Sequence, residues 1–239
     1  MKHFDIIHNT DQWYDARAGL ATTSSFDKIL TPSGKLSAQA DSYANTIIAE
    51  LMLGRPIERN FDTYAMQWGR EHEGDAANLY MFDTGLDVIH GGFFTNDELT
   101  LGTSPDVIVL DGEEQVGLAE IKCPENPAVH VEFLLQKTIN PKYKPQVFGQ
   151  MLVTGFDWVD WFSYYPGMPC NRIRTHASDD PDYMDKLREA LDGFEVIVQK
   201  KLEKLRELGH IDEIPQKLIR ESRKAAHQPA ESADYYMAG

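Results

Sequence analysis

Asp106, Glu120 and Lys122 are spaced as an acid and then, 14 residues on, an acid-X-lysine. Two carboxylates can hold Mg²⁺, and a lysine beside them can position or activate a water for attack on a phosphodiester. The residues between them read as a hairpin. Val107-Ile108-Val109-Leu110 is an extended run, Asp111-Gly112 opens a turn, and Val116 to Lys122 resumes the extended pattern. Folding symmetrically about Glu113 sets Leu110 against Val116 and Asp106 against Glu120. Side chains alternate with period two, so Glu120 and Lys122 share a face and Ile121 points away. Opposed carboxylates repel on a bare sheet, and a divalent cation turns that penalty into a site. The same short pattern also fits a surface hairpin whose charges face water, and the hairpin alone leaves both readings open.

The elements that must position this hairpin come from a chain of 239 residues, long enough to bury a substantial core. With 42% hydrophobic and 10% aromatic residues it reads as a soluble globular protein. No run suits a membrane span, and Met1-Lys2-His3-Phe4-Asp5 lacks the apolar core of a signal peptide. Cys123 and Cys170 are too few for a disulfide framework, a four-cysteine zinc site or an iron–sulfur cluster, so a reducing cytoplasm is expected. No histidine pair has the H-E-x-x-H spacing of a zinc site. A net charge of −15 opposes binding to phosphate backbones unless basic residues are gathered locally.

Along the chain, Asp11 is expected to cap a short helix over Gln12–Arg17, and Thr22 to Ser25 to precede a second helix start at Phe26–Leu30. Thr31–Lys35 is a loop. A helix from about Ala38 to Leu53 stops at Gly54. Another spans 62 to 83, with Glu73 set in a stripe of Met66, Gly69, Ala76 and Tyr80. Glu73 either reaches a polar centre or snorkels outward. Short strands follow around Val88-Ile89, Gly92–Phe94 and Leu99–Gly102, then the hairpin. Helices are expected at about 127 to 139 and 144 to 154, an aromatic strand at Asp157–Tyr165 paired with Arg172–His176, and a long helix from Asp182 to Leu208. The outcome is one α/β domain over 1–210, with a central mixed sheet of about five strands flanked by helices. A polar extension over 211–239 follows, loosely ordered from Arg220 unless a partner holds it. Lys137, Lys142 and Lys144 fit either a DNA channel or a solvated loop; Lys200, Lys201, Lys204 and Arg206 read as a solvated helix face.

Six motifs occur in order over residues 10 to 168: Trp13-Tyr14-x-x-Arg17-x-Gly19, Thr23-Ser24, Trp68-Gly69-x-x-x-Glu73, Thr103-Ser104-Pro105-Asp106, Glu120-Ile121-Lys122-Cys123-Pro124, and Gln146 ahead of Met151. Together they resemble the phage lambda exonuclease family of viral recombination nucleases (YqaJ-like), within the PD-(D/E)xK superfamily. The resemblance implies a restriction-endonuclease-like core. It implies metal ligation by Asp106, Glu120, the Ile121 carbonyl and Glu73, with Lys122 positioning or deprotonating the nucleophilic water. Gln146 is implied to orient Lys122 or the scissile phosphate, Arg17 and Ser24 to hold a 5′-phosphate, and Ser104 to offer a hydroxyl beside the site. Two departures stand out. Phe148 occupies a place that is often polar in the family, with Gln150 available one turn beyond Gln146, and little after residue 170 matches.

The resemblance further implies a 5′→3′ exonuclease using two Mg²⁺ ions, with Mn²⁺ substituting, that acts on double-stranded DNA ends. It leaves a 3′ single strand for a single-strand annealing protein in phage-type recombination. Also implied are a ring-shaped homotrimer, acidic outside and basic within, and a phage or prophage origin in the cytoplasm of a bacterial host, with no membrane partner. Two rivals remain in view: a nuclease of different polarity or an endonuclease, and a DNA-end-binding scaffold with a weak site.

Overall fold

The computed structural model describes residues 1–57, 63–217 and 219. Lys2–Phe4 forms β1, and the Thr10 hydroxyl accepts the Trp13 N–H to cap α1 (Asp11–Arg17). Thr10 therefore does the capping expected of Asp11, which instead lies in the first turn, where its charge suits the helix dipole. In place of a second helix start, Ala21–Thr22 forms β2 and Thr23–Lys28 a single 3₁₀ run. Consecutive hydroxyl residues compete for the backbone and favour such non-helical starts.

The helices α2 (Ala40–Leu53) and α3 (Tyr64–Thr84) end on Gly54 and Gly85, both left-handed. Next come β3 (Asp87–His90), β4 (Phe93–Thr95), β5 (Leu101–Thr103), β6 (Val107–Asp111) and β7 (Glu114–Lys122). The helix α4 covers Pro127–Leu134, shorter than the expected 127 to 139. The Asn171 amide donates to the carbonyls of Phe133 and Gln136, which completes this helix end from outside. Then follow α5 (Lys144–Thr154), β8 (Trp158–Ser163), β9 (Asn171–His176) and α6 (Pro181–Glu207).

The larger sheet has five strands in the order β3-β6-β7-β8-β9. It is mixed: β7 and β8 run parallel, and the other neighbours are antiparallel. One face carries Ile108, Leu118, Val159, Trp161 and Ile173 into a core with α2, α5 and α6. The opposite face carries Val107, Val109, Ala119, Ile121 and Phe162 against Ala76, Ala77 and Tyr80 of α3. A second sheet, absent from the sequence-based expectation, has the order β1-β4-β5-β2. Its β2 and β5 are parallel, which ties the chain after α1 to the strand that leads into Asp106.

The hairpin register is as expected where it matters. Val107 pairs with Ala119 and Ile108 with Leu118, so the next step outward sets Asp106 opposite Glu120. Nearer the turn the register shifts: Leu110 pairs with Gln115, not Val116. A bulge at this point absorbs one residue without moving the Asp106–Glu120 end.

The beginning of the polar extension folds back. Ile211 and Ile214 pack on the main core, and Lys217 Nζ donates to the carbonyls of Asp15 and Ala18 at the end of α1. Arg220–Gly239, expected to be loosely ordered, lies outside the described residues. Among the described residues no helix is long and apolar enough to cross a membrane.

Candidate active site

Asp106, Glu120 and Lys122 meet on the face of the large sheet that α5 covers. Lys122 Nζ stands 2.6 Å from Glu120 Oε1 and 4.0 Å from Asp106 Oδ2. Asp106 Oδ2 also accepts the Ile121 N–H at 2.6 Å, which fixes the carboxylate across the hairpin. Burial, and then the charge of Glu120, push Asp106 well above the usual carboxylate range, although Lys122 and the Ile121 N–H oppose them. Burial pulls the Lys122 ammonium down, but the attraction of Glu120 and Asp106 outweighs it, and the group is held above its ordinary value. In this arrangement Lys122 is a cation.

The helix α5 fixes the second acid. Gln146 Nε2 donates to Glu120 Oε1, and Gln150 Nε2 donates to Glu120 Oε2, each at 2.6 Å. One turn separates the two amides, so they share a helix face and reach both oxygens of one carboxylate. Gln150 thus does beside Glu120 what a polar residue at 148 cannot do here: Phe148 is buried in the core, edge-on to Tyr183.

Glu73 projects from α3, one turn before the alanines that pack on the opposite sheet face. Burial raises it, Lys122 lowers it and Glu120 raises it, with a net shift upward. Those influences place Glu73 within electrostatic reach of the cluster, though among the described residues it shares no hydrogen bond with the other two acids. Also among the described residues, no three His, Cys, Asp or Glu side chains are grouped to hold one ion. Lys122 occupies the space between the carboxylates.

The donor set nevertheless fits a hard divalent cation. Asp106, Glu120, Glu73 and the Ile121 carbonyl offer only oxygen, as Mg²⁺ prefers. Three acids against Lys122 leave excess negative charge, which adds to burial in raising the carboxyls of Asp106 and Glu73.

A second constellation lies two residues upstream of Asp106. Arg17 Nη1 is 3.4 Å from Ser104 Oγ, and Nη2 lies 3.3 Å from Thr22 Oγ1 and 3.1 Å from Ser24 Oγ. The guanidinium stacks 4.2 Å over the Trp13 ring, whose Nε1–H donates to Ser104 Oγ at 2.8 Å. With Trp13 and Arg17 both donating to it, the Ser104 hydroxyl keeps its own proton free for an acceptor. Among the described residues Arg17 forms no ion pair, and burial lowers it to about 10. A cavity of about 310 Å³ opens beside it, lined by Arg17, Thr22, Ser24 and Lys28. An unpaired, planar guanidinium ringed by hydroxyls suits a phosphate. A larger cavity, about 580 Å³, lies beside Gln12 and Asp15, shares Glu50 with the first, and contains none of Arg17, Thr22, Ser24 or Lys28.

Three features place this pocket next to the acids. The parallel pairing of Thr22 with Gly102 is one. A hydrogen bond of 2.7 Å between Thr23 and Thr103 is another. The third is Gly91, whose N–H donates to the Asp106 carbonyl and where any Cβ would overlap the Pro105 carbonyl.

Several functional-looking residues escaped the sequence reading. Trp13 was part of a motif but had no role, and Thr22 was not singled out. Asp160, fully buried, accepts from Tyr80 at 2.7 Å, from Arg174 at 2.8 Å through two nitrogens, and from Arg172 at 3.2 Å. It points to the α3 face, away from the cluster, and works as a structural anchor. Of the basic candidates, Lys144 is paired with Asp180 at 2.5 Å, whereas Lys137 and Lys142 are exposed and carry no ion pair among the described residues. Lys201 and Lys204 pair with Asp41 and Glu207, as a solvated face would.

Comparison with known proteins gives this arrangement a context. Residues 12–157, more than half of the chain, match the YqaJ-like viral recombinase domain. The fold is similar to that of an alkaline exonuclease from Laribacter hongkongensis, at 29% identity and a TM-score of 0.65, covering 83% of this chain and 100% of that one. The structure of that exonuclease in complex with dAMP matches at 29% identity and a TM-score of 0.64, with the same coverage. A phage-related exonuclease from Haemophilus somnus 129PT shares the fold at 15% identity and a TM-score of 0.60, over 78% of this chain and 96% of that one. No curated protein matches the chain.

Proposed function

This chain belongs to the YqaJ-like viral recombinase family, and from that premise we propose that it is a Mg²⁺-dependent 5′→3′ exonuclease acting on double-stranded DNA ends. The observation that carries the reading is the span from Ser104 to Asp106. It joins the Arg17 pocket to the carboxylate–lysine cluster across only two residues of chain, a reach of at most ~7 Å. The dAMP bound in the Laribacter relative's structure is the class of product such a site releases.

In this reading Arg17, Ser24 and Ser104 hold the terminal 5′-phosphate and set which bond reaches the acids. Asp106, Glu120, Glu73 and the Ile121 carbonyl hold the metal, Mg²⁺ in two positions with Mn²⁺ as a substitute. Bound there, the ions stabilise charge on the phosphate and lower the pKa of a coordinated water. Gln146 and Gln150 lock the Glu120 carboxylate in one orientation. Lys122, a cation in the arrangement seen, orients the attacking water and the scissile phosphate through its N–H donors; a role as base requires the pull of Glu120 to be relieved. The 3′ strand left behind is the substrate of a single-strand annealing partner. A homotrimeric ring with an acidic exterior and Lys137 and Lys142 turned toward the duplex reconciles the net charge of −15 with DNA binding. The setting is a bacterial cytoplasm harbouring a phage or prophage.

The test compares linear duplexes ending in a 5′-phosphate or a 5′-hydroxyl, digested by wild type and Arg17→Ala. Wild type should prefer the phosphorylated end by about 10-fold or more, as a hydrogen-bonded charge contact supports, and Arg17→Ala should lose that preference. Release from the 3′ end, or nicking of closed circles, overturns the polarity and the end specificity.

A further inference from the structure

The helix α5 presents a third group to the cluster. Tyr143, the residue that caps the start of α5, stands three and seven residues ahead of Gln146 and Gln150, so it continues their stripe just beyond the helix end. The stripe climbs out of the protein: Gln150 is fully buried, while Gln146 and Tyr143 are half-buried. Its two inner members end on the carboxylate of Glu120. Its outer member lies beside the lysine: the Tyr143 ring rests on Trp161 with centroids 4.2 Å apart, and Lys122 Nζ lies 5.0 Å from the centroid of the same indole. On the outside, Lys142 Nζ stands 4.5 Å over the Tyr143 ring.

The phenol thus stacks on the indole that Lys122 also contacts, and carries the Lys142 ammonium over its own ring. Among the described residues its hydroxyl has no hydrogen-bond partner, and Lys142 has no carboxylate partner. A hydroxyl with no protein partner, on a stacked ring that carries an ammonium, is available to donate to an anion that enters the site. The anion that the neighbouring acids and lysine act on is a phosphodiester.

We propose that Tyr143 is a further residue of the active site, its hydroxyl donating a hydrogen bond to a non-bridging phosphate oxygen of the strand being cut. This rests on the nuclease reading above. The ring contributes by stacking on Trp161, the same indole that Lys122 contacts. The two roles separate by chemistry, because phenylalanine keeps the ring and loses the donor.

The experiment measures single-turnover hydrolysis of a 5′-phosphorylated duplex by wild type, Tyr143→Phe and Tyr143→Ala, with duplex affinity read separately in a chelator and unfolding midpoints recorded for each. The expected result is a fall in the hydrolysis rate of about 10- to 100-fold in Tyr143→Phe, the range of a hydrogen bond to a charged group. Its unfolding midpoint should be unchanged and its affinity within about threefold of wild type, since a single neutral contact adds little to a binding surface made mainly of charge. Tyr143→Ala should lose at least as much rate. If Tyr143→Phe turns over as wild type does, the hydroxyl has no such role, whether or not Tyr143→Ala is impaired. A wild-type protein inactive on duplexes with Mg²⁺ removes the nuclease reading and this proposal together; an active wild type matched by Tyr143→Phe removes this proposal alone.

Discussion

Gln150 is fully buried, and its amide is divided between a satisfied and an orphaned atom. Nε2 donates to Glu120 Oε2 at 2.6 Å, while Oε1 is buried with no partner. Replacing it with methionine keeps the length and removes both polar atoms. The lost hydrogen bond to a carboxylate costs about 1.5–3 kcal/mol, and relief of the orphaned acceptor returns about 1–3 kcal/mol. The two largely cancel, so Gln150→Met should change unfolding free energy by no more than about 2 kcal/mol. Activity has no such compensation. Glu120 Oε1 keeps Lys122 and Gln146, but Oε2 loses its donor, and the carboxylate can swing. If the same 1.5–3 kcal/mol is lost from the positioned state, turnover falls by about 10- to 150-fold. Urea unfolding and single-turnover digestion of a phosphorylated duplex, on the same preparations, give the two numbers. A stability loss above about 3 kcal/mol, or turnover within twofold of wild type, refutes the reasoning.

Other perturbations probe separate parts of the structure. Asp160→Asn leaves Arg172 and Arg174 without their buried acceptor charge, and should destabilise by about 3 kcal/mol in denaturant melts, toward the lower end for a broken buried pair because both arginines are partly exposed. The folded fraction should keep its turnover, since Asp160 faces away from the cluster. Gly91→Ala drives a methyl group into the Pro105 carbonyl and should shift Asp106, so both hydrolysis of duplex DNA and the unfolding midpoint fall; intact activity and stability argue against the close approach. His8, lowered to about 4 by burial and by His90, is neutral in the fold, where its ring contacts the Gly92 carbonyl at 3.0 Å. Its folded pKa lies below the unfolded 6.5, so the stability it confers is complete above pH 6.5 and is lost as pH falls toward 4. That loss amounts to as much as about 3 kcal/mol. Urea melts at pH 7.5 and 4.5 should therefore show a steeper decline for wild type than for His8→Gln, and equal declines reject the assignment.

The large sheet was legible because its strands carry strong local signals. The hairpin has a β-branched run, a glycine turn and a period-two face, and these place Asp106, Glu120 and Lys122 without tertiary information. The small sheet was not legible, since β2 has only two residues and β1, β4 and β5 have three each, too few for a periodic pattern. Its consequence reached the sequence reading only through the family resemblance. The parallel pairing of β2 with β5 brings Arg17 to Ser104, and nothing in the local sequence announces it. Gln150 was visible as a polar residue one turn beyond Gln146, but its partner depends on the depth at which α5 packs. Tyr143 was passed over for a similar reason: its meaning comes from Trp161, eighteen residues later and on another strand. The end of α4 was misjudged because the group that closes it, Asn171, comes from β9.

The central claim is that the Asp106–Glu120–Lys122 cluster hydrolyses DNA from its 5′ end with a divalent cation. The direct measurement is the time course of label release from linear duplexes marked at either the 5′ or the 3′ terminus, with Mg²⁺ or with chelator, for wild type and Lys122→Met. Early release of 5′ label as mononucleotide, by wild type and only with Mg²⁺, is the predicted result. Metal-independent release, 3′ label appearing first, or Lys122→Met matching wild type contradicts it.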